Sequence, residues 1–137
     1  MNLRSLLLPA LLLAAAPACV VHTLEPGAVT SNGSVYLGFS LFDDKGKPDR
    51  EKYAVGQQLG QFSSLQLVAD HAVTVSKVVV IFADGERFTA PAPRRLGAGQ
   101  SSPLIALPRG PRAIHSVVIA AQSDHKLLSK IEVYGNH

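Results

Sequence analysis

The chain has no tryptophan, one cysteine and only 6% aromatic residues. A single cysteine excludes an intrachain disulfide framework. Sparse aromatics weigh against a carbohydrate-binding role, because sugar platforms rely on exposed rings with an apolar face and a polar rim. An excess of one charge is also missing: 13 Lys and Arg stand against 10 Asp and Glu, a formal net of +3. Nucleic-acid binding needs Lys and Arg clustered on one face, and no such cluster is legible along the chain, so no nucleic-acid partner is expected. No apolar run approaches the roughly 20 residues needed to cross a bilayer as a helix. Beyond the N-terminus, no segment keeps helical periodicity over three turns.

What is present begins with an address. Arg4 supplies a charge near the start, residues 6–16 are apolar, and Ala16-Pro17-Ala18 gives small residues before a cleavage point. These are the three parts of a secretion signal. Cys19 follows at once, and the junction resembles a bacterial lipobox, whose cysteine is acylated. Ala16 stands where a large aliphatic residue is usual. The alternative is an ordinary signal cut at the same bond, leaving a free thiol. Acyl chains would hold the protein on a membrane without a spanning helix, at ~0.8 kcal/mol per buried methylene. By resemblance to sorted lipoproteins, Val20 implies the periplasmic face of the outer membrane; without lipid, the protein is expected in the periplasm or secreted. Residues 1–18 are thus read as signal peptide and 19–33 as lipidated cysteine and tether. Within the tether Asn32-Gly33 is read as a turn.

Residues 34–137 read as one domain. Val35, Leu37, Phe39 and Leu41 alternate with Tyr36, Gly38, Ser40 and Phe42. A polar loop over 43–50 follows, then a weaker alternation at Tyr53, Val55, Gln57 and Leu59. Leu65, Leu67 and Ala69 continue the period of two. Residues 77–83 are nearly all β-branched or aromatic, the mark of a strand covered on both faces or central in its sheet. Asp84-Gly85-Glu86 signals a tight hairpin. Residues 91–99 read as a loop, 104–107 as a short strand, 114–121 as a strand, and 127–134 as a final alternation. About eight short strands at this spacing predict an all-β, antiparallel β-sandwich.

The runs Gly60-Gln61-Phe62-Ser63-Ser64-Leu65-Gln66-Leu67, Val78-Val79-Val80-Ile81-Phe82-Ala83-Asp84-Gly85-Glu86 and Ile131-Glu132-Val133-Tyr134-Gly135, with Gly99-Gln100-Ser101-Ser102 and Ile105-Ala106-Leu107-Pro108 between them, resemble a group of small exported bacterial β-sandwich proteins of unassigned function. The resemblance implies fold and export. It brings no catalytic residues.

No catalytic set is expected. Ser123-Asp124-His125 holds the residue types of a hydrolase triad, but triad members converge from separate segments, and contiguity reads as a turn. Asp43, Asp44 and Asp49 around Gly46 suggest a calcium loop, yet Lys45 and Lys47 take ligand positions. His22, His71, His115, His125 and His137 lack metal-site spacing. Neither metal nor cofactor is expected. The candidate anion- or partner-binding residues are Arg94, Arg95, Arg109 and Arg112, since guanidinium forks grip carboxylates and phosphates at two points. If the last strands form a meander, Arg94 and Arg95 lie near Asp124, and Arg109 and Arg112 near Asp84 and Glu86. Local ion pairing with those acids is the competing reading. Two functional classes follow: a non-catalytic envelope module that binds a protein or envelope polymer, or a hydrolase of envelope polymers.

Overall fold

The computed structural model describes residues 25–43, 48–91, 94–124 and 128–137. The expected leader, Cys19, His22, the Asp44–Lys47 part of the acidic loop and His125 lie outside these residues. Among the described residues the chain is all-β, in two antiparallel sheets.

The ten strands are β1 (Val35–Phe42), β2 (Asp49–Ala54), β3 (Gln61–Phe62), β4 (Ser64–Ala69), β5 (Val73–Phe82), β6 (Arg87–Ala90), β7 (Arg94–Leu96), β8 (Ile105–Ala106), β9 (Arg112–Ser123) and β10 (Ser129–Asn136). Sheet A has the order β1-β10-β4-β8. Sheet B has the order β2-β9-β5-β6, with β3 on β9 and β7 on β5. The expected meander is not found: β8 and β10 lie in sheet A, while β9 sits between β2 and β5 in sheet B. The expected loop over 91–99 contains β7, and the alternation after Tyr53 ends in a 3-10 turn at Gln57–Leu59.

The core lies between the sheets. Leu65, Leu67 and Ala69 of β4 and Ile131 and Val133 of β10 face it from sheet A. Val73, Val75, Val78, Val80 and Phe82 of β5 and Val117, Ile119 and Ala121 of β9 face it from sheet B. Alternation of side chains across each strand produces this division. Register shifts interrupt it at three places among the described strands, one of them between Ile81 and Phe82, and two of them decide which residues of β1 and β5 face the core. In β1 the register shifts between Tyr36 and Gly38. Val35 and Leu37 point inward, but beyond the bulge Ser40 and Phe42 take the buried face. Phe39 and Leu41, read as sharing a face with Val35 and Leu37, are turned outward and exposed. In β5 the shift between Val75 and Lys77 carries Lys77 to the outside and returns Val78 to the core. One extra residue in a strand does this because the side-chain period is two.

Part of the expected tether is hydrogen-bonded to the domain. Gly27 N–H donates to the Tyr36 carbonyl (2.8 Å) and Tyr36 N–H to that of Ala28 (2.9 Å). Asn32-Gly33 is a turn, as read: Gly33 has φ 88°, and the Asn32 side-chain oxygen accepts from Ser34 N–H at 3.1 Å. Asp84-Gly85-Glu86 closes the β5–β6 hairpin, with Phe82 N–H donating to Glu86 O at 2.8 Å.

Candidate functional site

The arginines singled out in the sequence sit against acids. Arg95 Nε is 3.1 Å from Asp124 Oδ2. Arg109 pairs with Glu86. Arg112 reaches Asp84 at 3.0 Å and Glu86 at 3.1 Å, with its guanidinium 3.6 Å over the Phe82 ring centroid. The co-location expected from a meander therefore holds in a different topology. The Arg112 side chain is 12% exposed, so it closes the end of the sandwich. Arg94 opens β7 through its backbone, opposite Val75; its side chain is not among those described.

This corner carries a pH signature. The Glu86 backbone amide bonds the Asp84 carboxylate and, with Arg112 nearby, holds it below the usual carboxylate range. Arg109 and then Arg112 lower Glu86 likewise. Groups with lowered folded-state values contribute stability that is present above their unfolded values and lost as pH falls through the folded ones. The melting temperature is therefore expected to fall on acidification below about pH 4. In Arg112→Ala that acid limb should be shallower. A thermal-melt series across pH with identical limbs for both proteins would count against this coupling.

The Ser123 hydroxyl is buried and lies 2.8 Å from that of Ser129, while Asp124 holds Arg95 and accepts from the Thr74 hydroxyl at 3.0 Å. These are structural roles within and beside the sheets. Among the described residues, no three His, Cys, Asp or Glu side chains converge on a common point that could hold a metal ion.

The feature that sequence reading missed is the outer face of sheet B. On β2, Arg50 and Lys52 alternate with Asp49, Glu51 and Tyr53, so the two cations share a face. Lys52 lies opposite Val118 of β9, which lies opposite Val79 of β5. Arg87 of β6 lies opposite Ile81. Lys77 joins them through the β5 bulge, opposite Ala120, itself the partner of Arg50. Strands β9 and β5 separate the Arg50/Lys52 wall from Arg87. Three strand spacings put these walls about 14 Å apart at the backbone. Between them lies an open concavity of about 290 Å³ lined by Arg50, Lys52, Val79, Ile81, Arg87 and Val118.

The outward positions of β2, β5, β6 and β9 carry these four cations and no carboxylate. Among the described residues, none of the four forms an ion pair. The contrast with Arg95, Arg109 and Arg112 is chemical. A guanidinium already gripping a carboxylate has less charge to offer a ligand, whereas an unpaired cation is available. The only sequence signal was the Arg50-x-Lys52 spacing. Lys77 and Arg87 join that face through a bulge and a hairpin register.

A second concavity, about 190 Å³, lies at the β1–β2 seam and includes Pro26, Gly38, Tyr53 and Ala54. Gly38 has φ 149°, and a Cβ there would come within 3.1 Å of the Tyr53 ring. The Tyr53 hydroxyl is buried with no hydrogen-bond partner among the described residues, and burial, with Tyr36 nearby, pushes its phenol well above the ordinary range. This seam is mainly a packing joint between the sheets.

No curated protein and no solved structure matches the chain. Residues 9–135 match a family model described as a domain of unknown function, DUF2541, and the chain belongs to that family.

Proposed function

We propose that this protein is a non-catalytic cell-envelope module that binds an anionic partner, a protein or an envelope polymer, through the outer face of sheet B. The observation that carries the reading is a face with four cations that form no ion pair among the described residues, three of them lining an aliphatic floor. Such a face holds anions by charge and by the donor forks of arginine. A hydroxyl–imidazole pair lies beside it, Ser116 and His115 at 3.2 Å, but that serine is buried; the exposed charged groups of the face are cations, and binding rather than turnover is the chemistry they support. The address belongs to the same proposal. Residues 1–18 direct export, and Cys19, acylated, tethers the domain to the periplasmic face of the outer membrane; the charged leader, apolar run and small-residue junction support this.

The test is retention on immobilised polyphosphate. Lys52→Gln with Arg87→Gln should weaken binding at least tenfold, because each charged hydrogen bond contributes about 1.5–3 kcal/mol. Both side chains are exposed, so the melting temperature should not change. Equal retention of the variant and the parent would sink the proposal.

A further inference from the structure

We propose that the outer face of sheet B docks on the surface of an anionic bilayer. This rests on the anion-binding reading above and assigns that face a layer of lipid headgroups in place of a protein or a polymer. The chemistry of the face selects a headgroup layer over other anions. Its cations project from a sheet face and not from an enclosed cleft, so they can meet many phosphates at once. Its floor is Val79, Ile81 and Val118, with no aromatic ring of the kind that single-stranded nucleic acid and sugars stack on. Lys and Arg lay their aliphatic stems along apolar surface and extend their charged heads outward. Val79 faces outward yet is only 6% exposed, and Arg50, Lys52 and Arg87 line the same concavity. An apolar floor fringed by cations is the composition of a surface that settles at the headgroup boundary. The outer face of sheet A differs: Phe39 and Leu41 are exposed there beside Lys130 and the acidic Glu132, so it has no such excess of charge.

The path of the chain is an independent observation. Pro26 shares the seam pocket with Tyr53 and Ala54. Ala54 is the next outward residue after Lys52 on β2. The N-terminal segment thus joins the domain beside the edge of the basic face. Cys19 is six residues before Glu25, and covalent geometry keeps it within roughly 20 Å of that point. A lipid attached there holds this edge of sheet B beside the membrane, with its cations in reach of the headgroups.

The test uses the full chain in a Cys19→Ala background, which removes any acyl anchor. Co-sedimentation is measured with mixed phosphatidylglycerol–phosphatidylcholine vesicles and with pure phosphatidylcholine vesicles. The apolar leader contributes to both, so the reading is the ratio between them. Each Lys or Arg facing an anionic leaflet should contribute roughly fivefold. Lys52→Gln with Arg87→Gln should therefore reduce the preference for anionic vesicles by about twentyfold or more. Lys130→Gln, the same change of charge on the opposite face, should leave it intact, and added salt should weaken it. Two results overturn the inference and leave anion binding standing: polyphosphate binding with no preference for anionic vesicles, which assigns the face to a soluble polymer or an acidic protein, and a vesicle preference that both variants share equally. A parent chain that binds neither polyphosphate nor anionic vesicles overturns both proposals.

Discussion

Phe82→Ala is expected to lower the unfolding free energy by about 3–5 kcal/mol, the range for deleting a buried aromatic ring. Phe82 is 1% exposed at the end of β5, among the core side chains of both sheets. Its ring has a second role as the platform under Arg112, 3.6 Å from the guanidinium carbon. The alanine variant thus opens a cavity and also frees the cation that reaches Asp84 and Glu86. Phe82→Leu separates the two effects. It keeps most of the volume, so its loss should be much smaller, but it removes the flat face that seats Arg112. Denaturant unfolding of both variants gives the comparison. A loss below about 1 kcal/mol for Phe82→Ala would mean that the ring is not held in a packed core.

Gly135→Val should be the most damaging single change in sheet A. A Cβ at residue 135 would stand 2.6 Å from Phe62 Cδ1 and 2.8 Å from its Cγ. The Phe62 ring is fully buried and His137 stacks against it at 5.1 Å between centroids, so it has no free space to retreat into. Overpacking of this kind costs about 1–3 kcal/mol for modest additions; Gly135→Ala should fall there and Gly135→Val beyond it. Pairing Gly135→Ala with Phe62→Leu should recover part of the loss, giving clear non-additivity in a double-mutant cycle. Additive costs would show that the two positions do not compete for the same space.

The sequence made the strands legible where their partners leave the alternation undisturbed. Leu65, Leu67 and Ala69 are buried as their spacing implies, and so are Ile131 and Val133. Sequence alternation loses phase at Leu37 and at Ser76, because a bulge depends on the neighbouring strand and not on the local sequence. That is why Phe39 was grouped with Leu37, and why Lys77 was read as part of an apolar run. The same limit hid the basic face. Arg94, Arg95, Arg109 and Arg112 stand out in the sequence as close pairs in expected loops, and the described side chains of that set sit beside acids. Arg50, Lys52, Lys77 and Arg87 are scattered over three strands, and only the pairing of β2, β9, β5 and β6 gathers them. A nearly balanced total charge says nothing about how the two signs are sorted between faces.

Strand order also governs when this protein can fold. The last two strands are the central ones: β10 joins β1 to β4, and β9 joins β2 to β5. A growing chain that has not yet reached Arg112 holds β1 and β2 without their partner strands and β4 and β5 with one side open. Pairing between distant segments is slow because the intervening loop must close before any contact is gained. Assembly is thus deferred until β9 and β10 have been made, and until then the unpaired strands are open to capture by others.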